Sequence, residues 1–208
     1  MDFLVFDLET QRSAADVGGW NHIDEMKMSV GVVWDSKEEK FFTYFEDQVE
    51  ELIAHLSSGS LVIGYNHMGF DYTVLTGYRP VDQREAELKR FQELPNLDLL
   101  ISVREKLGKR VKLDAIARPT LKVGKSADGL LALEWYKEFL AGDDSKMQKI
   151  ADYCKQDVAV TRDVYLYGLE HESLLYLDKD KGMQKFTINW HPKVEEAPPE
   201  DHEQLSFF

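Results

Sequence analysis

With 208 residues, of which 43% are hydrophobic and 12% aromatic, the chain holds enough apolar surface for one domain with a sizeable core, and its composition excludes intrinsic disorder. A net charge of −13 excludes a uniformly basic surface that would bind polyanions indiscriminately. The single cysteine, Cys154, excludes an internal disulfide and is read as a packing residue; no uncharged stretch approaches the ~18 residues of a membrane span, and residues 1–6 are too short and lack the basic start of a leader, so a reduced, cytoplasmic setting is expected.

The first element is the apolar run Phe3-Leu4-Val5-Phe6, read as a buried strand that continues into Asp7-Leu8-Glu9-Thr10. Successive strand side chains point to opposite faces, so Asp7 and Glu9 share one face and Leu8 turns back into the core. Two carboxylates at a buried strand end repel each other, and a cation between them is the natural compensation. Alone this is a weak signal, since an Asp-x-Glu arises by chance roughly once in a chain of this length. Next, Gly18-Gly19-Trp20 reads either as a lid or base-stacking element or as ordinary loop packing.

Residues 28–34 and 40–45 read as two further strands joined by an Asp35-Ser36-Lys37 turn, residues 48–56 as an amphipathic helix, and residues 61–64 as a short strand parallel to the first. The loop Tyr65-Asn66-His67-Met68-Gly69-Phe70-Asp71 then leads into a helix carrying Val74 and Leu75. Gly64 and Gly69 permit a tight backbone there, and Asp71 suits an N-cap, a role compatible with metal binding because it leaves the carboxylate at an exposed helix start. His67 is read as a loop residue without chemistry and Phe70 as a core residue that aims Asp71. Residues 97–100 add a strand, with Asp98 as an accessory or capping group rather than a metal ligand. Helices are expected through Arg104, from about 112 to 118 and from 127 to 140.

Between Arg104 and Lys125 lie eight bases against Glu105 and Asp114, a net +6 that leaves −19 on the rest of the chain. Such a segment is either a local phosphate-contacting patch or a solvated basic face. Beyond it, Asp143, Asp144 and Ser145 offer N-cap side chains for a helix on which Met147, Ile150, Ala151, Cys154, Val158 and Thr161 recur at helical spacing, up to about Leu169. Tyr153 and Asp157, four residues apart, share a face of that helix. A phenol beside a carboxylate can hold a water near a metal bound by that carboxylate. Residues 183–190 read as a closing strand, and residues 191–208 as a Pro-rich, acidic flexible tail, leaving residues 1–190 as the folded domain.

The conjunction is more specific than its parts. Asp7 and Glu9, then Asn66-x3-Phe70-Asp71, then Tyr153-x3-Asp157 resemble, in order and spacing, the three motifs of the DEDD exonuclease superfamily, which includes the proofreading domains of DNA polymerases. Tyrosine four residues before the last aspartate marks the tyrosine (DEDDy) branch. The resemblance spans residues 2–169 and is closest to bacterial stand-alone or helicase-associated exonuclease domains of the family B polymerase type.

It implies an α/β, RNase H-like fold: a mixed five-stranded sheet flanked by helices, with a short C-terminal extension. It implies two divalent cations, Mg2+ or Mn2+, held by Asp7, Glu9, Asp71 and Asp157, with Tyr153 orienting the nucleophile. The expected reaction removes nucleoside 5′-monophosphates from a single-stranded 3′ end of DNA or RNA, with Thr10, Asn66, Lys112, Lys122 and Lys125 as substrate contacts. Two other readings stay open, a non-catalytic adaptor that holds nucleic-acid ends and an RNase H-like endonuclease. Finally, Gln204-Leu205-Ser206-Phe207-Phe208 is similar to the bacterial sliding-clamp-binding motif, with Gln204 at the rim of a clamp pocket and Leu205, Phe207 and Phe208 filling it.

Overall fold

The computed structural model describes residues 2–122, 130–178 and 180–191. Among them, strands β1 (Phe3–Thr10), β2 (Met28–Asp35), β3 (Lys40–Phe45), β4 (Leu61–Gly64) and β5 (Asn96–Asp98) form a mixed five-stranded sheet in the order β3-β2-β1-β4-β5. β2 lies antiparallel to both β1 and β3, whereas β4 runs parallel to β1 and to β5. The interior strand β2 is a near-continuous apolar run because both of its faces are covered. This is the α/β, RNase H-like arrangement expected from the sequence.

Alternation along β1 divides the core. Leu4, Phe6 and Leu8 pack with Leu52, Ile53 and Leu56 of α1 (Val49–Leu56), Tyr72, Val74 and Leu75 of α2 (Asp71–Thr76) and Phe91 of α3 (Arg84–Gln92). Phe3 and Val5 face the opposite layer, built from α4 (Leu99–Leu107), α5 (Leu113–Leu121), α6 (Leu130–Leu140) and the 27-residue α7 (Ser145–His171). α1 buries Val49, Leu52, Ile53 and Leu56, an i, i+3, i+4, i+7 stripe. On α3 only Phe91 is buried, so that helix carries little periodic signal.

Three expectations need correction. The predicted strand 97–100 stops at Asp98, because the Asp98 side chain accepts from the N–H groups of Leu100 and Ile101 and turns the chain into α4. Asp71 is the first residue of α2 rather than its N-cap, which is Phe70. The closing strand is the second half of a separate hairpin, β6 (Ser173–Asp178) with β7 (Gly182–Thr187), and β6 follows α7 after a single left-handed residue, Glu172. No helix among the described residues is long and apolar enough to cross a membrane.

Candidate metal centre

The face of β1 that carries Phe3 and Val5 carries Asp7 and Glu9 next, and α7 lies across that face in the opposite direction. The Phe3 ring meets Tyr165 at a centroid distance of 5.2 Å, and three helical turns earlier Cys154 reaches Asp7. Tyr153 and Asp157 therefore come down beside the strand end. One carboxylate oxygen from each of Asp7, Glu9 and Asp157 lies within 4.8 Å of the others. The β1–β2 register shifts between Glu9 and Thr10, a bulge at the point where the acids leave the sheet.

The electrostatics of this cluster are unfavourable as they stand. Burial above all, then the charges of Asp71, Glu9 and Asp157, holds the Asp7 carboxyl well above the usual carboxylate range. Burial, then Asp157 and Asp71, does the same to Glu9. Asp157 is pushed up to about 6 by burial, against which the Tyr153 hydroxyl works by donating a hydrogen bond. Burial and the surrounding carboxylates raise the Tyr153 phenol, which therefore stays a donor. Its ring is fixed edge-on against Trp135, with centroids 6.2 Å apart. A donor set made only of oxygens, converging and mutually repelling, fits a hard divalent cation.

Asp71 stands just behind this trio. Of the neighbouring charges, its own acts most strongly on Asp7. Parallel pairing of β1 with β4 ends at Val5–Ile63, and Asp71 Oδ1 accepts from the Leu8 N–H at 3.0 Å, between Asp7 and Glu9 in sequence. Burial pushes the Asp71 carboxyl up to about 7, and the Leu8 bond opposes that rise.

The loop before Asp71 is held by Asp98, which accepts from the N–H groups of Asn66 and Met68 at 2.9 and 3.2 Å while also capping α4. Asn66 sits at φ 76, a left-handed conformation that asparagine tolerates. His67, expected to be an ordinary loop residue, is fully buried, with Nε2 3.1 Å from Asn96 Oδ1.

The remaining expected site residues scatter. The buried Thr10 spends its hydroxyl proton on the Arg12 carbonyl, at 3.0 Å. Lys112 and Lys122 are exposed at opposite ends of α5, about 15 Å apart along the axis of that nine-residue helix. Within the basic segment Lys109 is paired with Asp178 and Arg118 with Asp114, which reduces its free positive charge. Lys125, Gln204, Leu205, Phe207 and Phe208 lie outside the described residues. Sequence reasoning missed the Cys154 contact and the Trp135 backing of Tyr153. The first lies within a recognised motif, next to Tyr153; the second had no local signal.

A family model described as the RNase_H superfamily matches residues 4–167. A comparison with curated proteins finds no matching sequence. Among solved structures, the family B DNA polymerase from the hyperthermophilic archaeon Pyrobaculum calidifontis is similar, with a TM-score of 0.58 and 18% identity. That similarity covers 81% of this chain and 24% of the polymerase, and at such identity it speaks to the fold alone. With this sheet order, and with four-fifths of its length matched by the family model, the chain belongs to the RNase H superfamily.

Proposed function

We propose that the chain is a metal-dependent 3′–5′ exonuclease that releases nucleoside 5′-monophosphates from a nucleic-acid 3′ end. The observation that carries this reading is the convergence of Asp7, Glu9 and Asp157 within 4.8 Å, with Tyr153 hydrogen-bonded to Asp157. Asp7, Glu9 and Asp157 would hold one Mg2+ or Mn2+, and Asp7 with Asp71 would serve a second. When bound, such cations supply the positive charge that phosphodiester hydrolysis needs at the nucleophile and at the leaving oxygen.

The chain's own groups have narrower tasks. Tyr153 keeps its proton and donates a hydrogen bond to Asp157, which leaves its phenol oxygen to accept from and orient a nucleophilic water, and Asp71 braces the strand end through the Leu8 N–H. Asp98 fixes the loop that delivers Asp71.

The test is a 3′-labelled single strand and its circular counterpart incubated with Mg2+, in matched DNA and RNA forms. Mononucleotide release from the linear strand with an intact circle is expected. A cleaved circle would instead establish an endonuclease, and no cleavage with retained binding an end-holding adaptor. We also propose that Gln204, Leu205, Phe207 and Phe208 tether the chain to a sliding clamp. A clamp pull-down unaffected by deleting residues 204–208 removes that idea.

A further inference from the structure

The connection from β1 to β2 leaves the sheet at Thr10, beside the acids, and returns at Met28. Its second half is firmly tied down. Arg84 pairs with Asp24, the Lys27 ammonium donates to the Gly77 carbonyl, and Met26 is buried. Gly77 allows this docking, because a Cβ there would stand 1.8 Å from the Asp24 carbonyl oxygen.

The first half ends differently. Gly18 and Gly19 adopt φ values of +88° and +127°, and the short 3-10 helix Trp20–Glu25 begins straight after them. Trp20 is 70% exposed, whereas Trp34 and Trp135 are half-buried and Trp190 is buried. The ring of Phe70 meets its indole edge-on, 6.4 Å between centroids and inclined at 60°. Phe70 is itself half-buried and immediately precedes Asp71. A rigid aromatic plane thus stands open beside the residue that braces the metal centre, on a loop anchored at its far end.

We propose that Trp20, backed by Phe70, is a stacking platform for one nucleobase of the strand presented to the acid cluster. The class of ligand rests on the nuclease reading above; the platform goes beyond it. A face-on stack reads no hydrogen-bonding edge, so every base is accepted. It does require a base free of its own neighbours, which commits the site to single-stranded or frayed ends rather than closed duplex.

The experiment compares the full wild-type chain with Trp20→Ala and Trp20→Phe. Binding is followed by anisotropy of labelled octathymidylate and of an equally long base-free deoxyribose-phosphate strand. Ca2+ is supplied as an oxygen-seeking cation of looser geometry than Mg2+. Trp20→Ala should weaken octathymidylate binding by about ten-fold or more, the scale of one lost base–aromatic stack, and leave the base-free strand bound as before. Trp20→Phe should retain most of the affinity, and quenching of tryptophan emission by octathymidylate should shrink in both variants. Unchanged octathymidylate affinity in Trp20→Ala, an equal loss for both strands, or no binding by the wild-type chain overturns the platform. Hydrolysis in Mg2+ is read separately. Binding with Trp20 quenched but no hydrolysis sinks the nuclease reading and keeps the platform; hydrolysis indifferent to Trp20 does the reverse.

Discussion

The thiol of Cys154 lies 3.4 Å from the main-chain carbonyl of Asp7 and 3.9 Å from its carboxylate Oδ2. It is a donor aimed at an acid whose pKa burial and its neighbours raise, and it pulls that acid towards its charged form. Cys154→Ala should therefore weaken Mn2+ binding by a few-fold up to about ten-fold, as loss of a partner behind a metal ligand does. Calorimetric titration reads this, and unaltered affinity would reduce Cys154 to packing. The native thiol, buried and held up in pKa by burial and the nearby acids, should also resist alkylation until the chain unfolds.

Repulsion among buried carboxylates makes the metal-free site a source of instability. Asp7→Asn, nearly isosteric and uncharged, should raise the metal-free melting temperature by roughly 2–8 °C, the shift expected from about 1–2 kcal/mol in a domain of this size. The same variant should lose the further rise that Mn2+ gives the wild-type chain. Thermal melts with and without Mn2+ check both, and a destabilised metal-free Asp7→Asn would contradict the repulsion argument.

The pH dependence has a definite sign. Asp71 and Asp157 are pushed up to about 7 and about 6 in the folded chain, against about 3.9 for an unfolded aspartate, and Asp7 and Glu9 move the same way. The folded state then binds the extra protons. Stability from these groups is present in full below pH ~4 and is lost as pH rises through about 6 and 7. Urea midpoints of the metal-free chain should fall between pH 5 and 8, and saturating Mn2+ should flatten that fall. A rising metal-free profile over this window would be inconsistent with the cluster.

Tyr153→Phe keeps the ring against Trp135 and removes only the hydroxyl that donates to Asp157. Turnover should drop on the order of 10–10³-fold with a measurable remnant, since a positioned donor is lost while the acids remain. Asp7→Ala should leave no metal-dependent activity. Single-turnover assays separate the two, and equal losses would argue against an orienting role for the phenol.

Asp98→Ala should be more costly than its distance from the reaction suggests. It orphans the N–H groups of Asn66, Met68, Leu100 and Ile101 together, at about 2–4 kcal/mol. Denaturant unfolding measures the loss. Asp98→Asn, which keeps an acceptor, should recover part of it.

The fold and the three-acid cluster were legible because their signals are local and periodic. A period-two apolar strand puts Asp7 and Glu9 on one face, and a period of 3.6 puts Tyr153 beside Asp157. The strand expected over 97–100 is too long because Leu97-Asp98-Leu99-Leu100 has a strand's apolar content, while the capping role expected of Asp98 is the one observed. β6 was hidden because the apolar pattern of α7 runs into it across one left-handed residue, Glu172. The helix α3 was silent because its exposed face leaves one buried side chain, Phe91. The basic segment is harder to judge from a tally, because the partner of Lys109, Asp178, lies outside it and is set by tertiary packing.

The opposed directions of β1 and α7 carry a consequence for synthesis. Asp7 emerges from the ribosome some 150 residues before Asp157, so no cradle of all three acids can assemble on a nascent chain until α7 has been released and has docked. A half-made chain therefore presents Asp7 and Glu9 without the third acid that completes the trio.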